Sequence, residues 1–173
     1  MATAKKPIGE YIGQELVITR IIDAPREMVF DAWKDPDQVK QWWGPKDFTA
    51  PFAEIDFRVG GKSLSCMRSP ESKEYWGVGV YQEIVPPERI VSTDSFADEK
   101  GNVVPATYYG MSPDFPLELL ITVTFEDIDG KTKLTLHHAG FPDEENLDMA
   151  REGWSESLDK LANYLENEIE DEE

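Results

Sequence analysis

From about residue 48 to residue 139 the chain carries one strand signal after another, with no helical segment between them. A single long amphipathic stretch follows. This order constrains the fold more than any other feature. Strands joined directly to one another form an antiparallel sheet, and helices segregated to the ends of the chain give an α+β architecture. The candidate strands are FTAPFAEIDFRV (48–59, interrupted by Pro51), KSLSCMR (62–68), WGVGVYQEIV (76–85), IVSTDSF (90–96), LELLITVTFED (117–127) and KTKLTLHHA (131–139). They are rich in β-branched and aromatic residues and bounded by turn residues. Gly60-Gly61 reads as a hairpin turn, PPER (86–89) as a second turn, and Asp129-Gly130 is the strongest hairpin signal in the chain. In the stretch 143–169, Leu147, Ala150, Trp154, Leu158, Leu161 and Leu165 recur at intervals of three or four, which makes one apolar helical stripe. That stripe must cover something, and the concave face of the sheet is the available partner.

The N-terminal third fits the same scheme. ELVITRIIDA (15–24) reads as the first strand; Leu16, Ile18 and Ile22 share one parity, with Arg20 among them. Asp23 is placed to cap a helix over 24–35, with Pro25 in its first turn and an apolar stripe of Met28, Val29, Ala32 and Trp33. A second short helix over 36–43 carries Val39, Trp42 and Trp43, and Gly44-Pro45 breaks it. Residues 1–13 read as a flexible arm, 14–166 as one domain, and 167–173 as an acidic tail expected to fray. The segment 97–116 is too long for an ordinary hairpin loop, and loops of that length are functional or mobile as a class.

Charge and motif content exclude several functions. With 17 basic against 35 acidic residues the net charge is −18, which repels phosphate backbones and anionic headgroups. No nucleic-acid partner is expected. No apolar run suits a leader or a bilayer span, so no membrane insertion and a cytoplasmic location are expected. Cys66, the single cysteine, permits no disulfide within the chain and reads as a small buried hydrophobe. His137 and His138 are adjacent on a strand and point to opposite faces, so they cannot jointly hold one ion. His138 shares a face with Leu134 and Leu136 and should point inward, as a hydrogen-bonded core histidine or as a ligand contact or proton donor. The acidic cluster Asp143, Glu144 and Glu145 opens the long helix, where it complements the dipole. No metal site, cofactor motif or catalytic constellation is nominated by any spacing. The aromatic residues (5 Trp, 6 Tyr and 8 Phe) are spread over every element. Each alone reads as core packing; together they suit an apolar pocket with a few polar handles.

IIDAPREMVFDAWKDPDQVKQWWGP, DFRVGG, GVGVYQEIVPPERIV, TVTFEDIDGKTKLTLHHAGFP and GWSESLDKLANYL, taken together, resemble the family named for the activator of heat-shock protein 90 ATPase. That family belongs to the START-like superfamily of polyketide cyclases and lipid-transport proteins. The resemblance spans about residues 14–166. It implies a helix-grip fold, in which a curved antiparallel sheet wraps a long C-terminal helix and two short helices follow the first strand. It also implies an apolar cavity between sheet and helix. The aromatic and polar residues expected to line such a cavity are Trp42, Trp43, Trp76, Tyr81, Tyr108, Tyr109, His138, Phe141 and Trp154. In the WW pair either one ring anchors the short helix and the other lines or closes the pocket mouth, or both rings seal the core. The 97–116 loop, with its two tyrosines, would act as a lid.

Three functions are consistent with this reading. The first is a small binding protein that holds an apolar or aromatic small molecule between sheet and helix. The second is a cyclase- or hydrolase-type enzyme using the same cavity, with His138 and a nearby Tyr, Asp or Glu as acid and base. The third is a chaperone-regulating interaction module; in the eukaryotic proteins that give the family its name this activity also uses a separate N-terminal domain. An unpaired sheet edge would allow a homodimer.

Overall fold

The computed structural model describes residues 13–172. The arm expected over 1–13 therefore lies outside the described residues except for Gly13. Strand β1 (Gln14–Ile22) is followed by helices α1 (Arg26–Lys34) and α2 (Pro36–Trp42). Six more strands come next: β2 (Thr49–Ile55), β3 (Lys62–Arg68), β4 (Glu74–Val85), β5 (Arg89–Ala97), β6 (Leu119–Ile128) and β7 (Lys131–Phe141). Helix α3 (Glu144–Glu172) closes the chain. All seven strands form one antiparallel sheet in the order β1-β7-β6-β5-β4-β3-β2. This is the α+β helix-grip architecture expected from the element order and the resemblance.

Asp129 and Gly130 both have positive φ and turn β6 directly into β7, as the Asp-Gly pair requires. Gly60-Gly61 behaves differently. β2 ends at Ile55, so the strand does not run to 59, and residues 56–61 form a longer connection. The Gly60 N–H donates to the Tyr81 carbonyl at 2.8 Å, and the Tyr81 N–H donates to the Gly61 carbonyl at 3.0 Å. The connection is thus pulled onto β4 instead of forming a tight two-residue turn. Pro51 is tolerated within β2 because β2 is an edge strand whose register slips between Thr49 and Phe52.

Asp23 does not cap α1. The helix starts at Arg26 with Pro25 at its cap position, in extended geometry and without a side-chain cap bond. Asp35 caps α2, accepting from the Asp37 N–H at 3.0 Å with Pro36 in the first helical position. For α3 the cap acceptor is Asp143, whose Oδ1 takes the Asn146 N–H at 2.8 Å. The helix expected over 143–169 already overlaps the acidic tail expected from residue 167, and α3 runs past that residue to Glu172. Leu165 is fully buried and Ile169 packs on the core one turn later, which carries the helix past that point.

One end of the concave face is filled by large side chains. Leu16, Ile22, Leu134, Leu136, Val123 and Phe125 of β1, β7 and β6 meet Leu158, Leu161 and Leu165 of α3, all with at most 1% exposure. Arg20 lies on this same face because it reaches α3, pairing with Asp159 and donating to the Ser155 carbonyl at 3.3 Å. Trp42 is the anchor of α2: it is fully buried, and its indole N–H donates to the Ala32 carbonyl at 3.1 Å.

Trp42→Ala should therefore destabilise the protein by about 3–5 kcal/mol, since it removes a large buried ring and leaves a cavity. Tyr108→Ala should change stability by no more than about 0.5 kcal/mol, because Tyr108 is 60% exposed. Equilibrium urea unfolding of the two variants measures both.

Candidate functional site

At the opposite end of the concave face the side chains are small. β3 presents Ser63 and Ser65, and β4 presents Gly79 and Gly77 directly across from them in the paired register. β5 continues the row with Ser92 and Asp94. The facing surface of α3 carries Ala150, Gly153 and Ser157 at intervals of three and four. A straight helix laid across large residues at one end and small ones at the other cannot touch both. The gap is a cavity of about 500 Å³. Gly79 could not be replaced without cost, because a Cβ there would collide with the Thr93 carbonyl oxygen.

The helix is held at this height by the segment after α2. Gly44 has φ +100°, which lets the chain turn sharply after Trp43. Three contacts tie that turn to α3: the Ser157 hydroxyl donates to the Trp42 carbonyl at 3.0 Å, and Lys160 Nζ donates to the Pro45 and Phe48 carbonyls at 3.0 and 3.2 Å. Partial burial holds the Lys160 ammonium below the usual lysine range, with the Glu156 carboxylate opposing that effect.

Aromatic rings form much of the wall. Trp33, Trp43 and Trp154 make one cluster, with Trp33 and Trp154 stacked at 6.0 Å and Trp43 edge-on to Trp154 at 5.4 Å. Tyr75, Trp76, Tyr81 and Phe96 line the sheet side, and Tyr109, Met111 and Phe115 line it from the β5–β6 connection. Met149 lines the cavity and is also 58% exposed, so it lies at the rim, where the cavity reaches the surface.

The polar element is a chain of three side chains. The Trp154 indole N–H donates to His138 Nδ1 at 3.0 Å, and His138 Nε2 lies 2.8 Å from Asp94 Oδ2. An indole nitrogen can only donate, so Nδ1 is the unprotonated nitrogen and Nε2–H donates to the Asp94 carboxylate. His138 is 6% exposed with both nitrogens occupied. The imidazole therefore has no free lone pair for base chemistry toward a bound molecule, and neither of its partners is a hydroxyl or thiol nucleophile. The arrangement serves as a fixed polar anchor. His137, on the other face, pairs with Glu15 at the surface.

Of the nine residues expected to line a cavity, Trp43, Trp76, Tyr81, Tyr109, His138, Phe141 and Trp154 do so, and the structure brings them together around one space. Trp42 does not, because it is consumed as the packing anchor of α2. Tyr108 does not either; it points to solvent while Tyr109 turns inward. The Tyr109 hydroxyl bonds to the Ala97 carbonyl and accepts the Trp76 N–H at 3.0 Å, bridging two residues paired across β4 and β5. The connection is further pinned by the Ala97–Val103 bridge and by the Val104 N–H donating to the Phe96 carbonyl at 3.0 Å. Asp94 and Phe115 were not singled out by sequence reasoning, and Trp33, Tyr75 and Phe96 entered it only as members of the aromatic set suited to a pocket. The signal that would have found them is the alternation of small residues in KSLSC and WGVGV, which marks a sheet face left unfilled.

Tyr81 gives a pH signature. Burial raises its phenol to about 12, partly offset by a hydrogen bond with Ser63. A raised folded-state value contributes stability that is complete below pH 10 and is lost as pH rises toward 12. Tyr81→Phe should remove this alkaline component from denaturation curves recorded between pH 9 and 12, roughly. A second variant, Trp154→Phe, keeps an aromatic ring, smaller than the indole, and deletes the N–H. It should cost at least about 1 kcal/mol and leave His138 Nδ1 without its donor, which long-range nitrogen–proton NMR correlations of the imidazole detect.

The comparisons with known proteins agree with this construction. Residues 23–166 match the family described as Activator of Hsp90 ATPase homolog 1-like protein. A crystal structure of a protein from Chromobacterium violaceum is 28% identical, covering 88% of this chain and 96% of its own, with a TM-score of 0.74. A solution structure from Arthrobacter aurescens is 26% identical over 95% of this chain and 91% of that one, also with a TM-score of 0.74. A member of the same family from Silicibacter pomeroyi is 25% identical over 90% and 99% of the two chains, with a TM-score of 0.72. No curated protein matches. The matched span covers most of the chain, and the chain belongs to the Activator of Hsp90 ATPase homolog 1-like family, within the START-like superfamily.

Proposed function

We propose that this protein binds an apolar or aromatic small molecule in the cavity between β3–β5 and the N-terminal half of α3. The observation that carries this reading is the cavity itself: about 500 Å³, walled by aromatic rings and reaching the surface at Met149. Small-molecule sites fall in the range of roughly 300–1,000 Å³, apolar in most of their lining with a few polar groups for orientation. Family membership fits a binding or regulatory role, and the site is what gives that role a chemical form. Transfer of about 200 Å² of ligand apolar surface from water is worth about 5 kcal/mol before the cost of association. The tryptophan cluster supplies flat, rigid surface at little cost in side-chain entropy. The binding reading is favoured over the hydrolase or cyclase reading because both nitrogens of His138 are already hydrogen-bonded. Among the described residues no helix is long and apolar enough to cross a membrane, and we place this activity in the cytoplasm.

N-Phenylnaphthylamine, a neutral apolar fluorophore, should bind at one site per chain, with energy transfer from the tryptophans that line the cavity. Ser65→Phe and Ala150→Phe, which fill the cavity from the sheet side and the helix side, should each weaken binding by at least about tenfold while the far-UV circular dichroism stays unchanged. Undiminished binding in both variants would show that the fluorophore sits elsewhere.

A further inference from the structure

The cavity wall is nearly free of charge, but not completely. Asp94 is the one Asp, Glu, Lys or Arg among the described residues that line it. Its partner does not neutralise it. With Nδ1 held by the Trp154 N–H, the His138 ring carries a single proton, on Nε2, and gives that hydrogen bond to Asp94 Oδ2 without bringing a positive charge. The Asp94 side chain is 36% exposed, and its Oδ1 makes no hydrogen bond with a described residue. The cations that touch the cavity's lining residues are committed elsewhere. Lys160 donates to the Pro45 and Phe48 carbonyls, and Lys73 donates to the Tyr109 carbonyl at 3.4 Å and lies over the Tyr75 ring at 5.1 Å. The cavity therefore combines apolar walls, aromatic faces and one carboxylate with an open acceptor oxygen.

We infer that the cavity is selective for apolar molecules that carry a protonated amine, and that it excludes apolar carboxylates such as fatty-acid anions. This inference rests on the binding reading above and names the ligand class of that same site. The ammonium would donate to Asp94 Oδ1, and its remaining charge would be shared with the aromatic faces, as cations over indole and phenol rings are. An anion in the same position would meet the Asp94 carboxylate with no lining Lys or Arg to compensate, and would exchange its hydration only for neutral donors such as the Ser63, Ser65 and Ser92 hydroxyls. The overall charge of −18 points the same way, drawing cations toward the protein.

The test is isothermal titration calorimetry at physiological salt with three probes of one shape: naphthylethylamine, naphthylethanol and naphthylacetate. We expect the amine to bind about tenfold or more tightly than the alcohol, the effect of one charge-assisted hydrogen bond, and the carboxylate not to bind measurably. Asp94→Asn retains an acceptor for His138 Nε2–H and leaves the surface charge otherwise in place. It should abolish the amine's advantage, so that amine and alcohol bind the variant within about threefold of each other. Equal binding of the three probes by the wild-type protein, or an amine preference that survives Asp94→Asn, would overturn the charge selectivity while leaving the cavity reading intact. No heat from any of the three would remove both. The comparison of probes on the wild-type protein stands even if the variant fails to fold.

Discussion

One straight helix lying over a sheet with unequal side chains is the constraint on which the rest depends. Where β1, β7 and β6 present leucine, isoleucine, valine and phenylalanine, α3 packs down through the fully buried Leu158, Leu161 and Leu165. Where β3, β4 and β5 present serine and glycine, the same helix presents alanine, glycine and serine, and the two surfaces do not meet. Close packing at one end fixes the axis of α3, and the axis fixes the gap at the other. The turn after Trp43 secures the helix further, through Ser157 and Lys160. The cavity is therefore a consequence of side-chain size under a rigid element.

The polar groups follow the same logic. Asp94 and His138 come from β5 and β7, with β6 between them, and Trp154 meets them from α3. Their hydrogen bonds leave a fixed tautomer on the imidazole and one Asp94 carboxylate oxygen without a hydrogen bond to a described residue. In the proposed binding function these groups would orient and select the molecule, and their hydrogen bonds leave the imidazole no vacant nitrogen with which to move a proton.

Much of this was legible in the sequence, for reasons specific to each element. The strand run and the three-and-four spacing of Leu147 to Leu165 were enough for the α+β class, because those patterns follow directly from burying one face. Asp129-Gly130 was legible because few other pairs adopt two positive φ values in succession. The WW pair was legible only in part: both rings were expected at the cavity, with one of them anchoring the short helix, but nothing local says which, and it is Trp42 that is buried against the core while Trp43 lines the cavity. Other features were hidden. The Gly60-Gly61 connection depends on hydrogen bonds to Tyr81, a distant residue on β4, which no local pattern encodes. The inward and outward roles of Tyr109 and Tyr108 are set by a hydroxyl bridging β4 and β5, again a tertiary fact. Asp94 was overlooked because an acid at an alternating strand position resembles any solvent-facing residue until the neighbouring small residues are seen to enclose it.

The most direct test of this account is an isotope-filtered NOE spectrum of the protein with N-phenylnaphthylamine bound. The account expects cross-peaks from the fluorophore to Gly77 on β4, to Ala150 and Met149 on α3, and to the Trp154 ring. Cross-peaks confined to exposed apolar side chains such as Val17 and Ile21 on the outer face of β1 would contradict it.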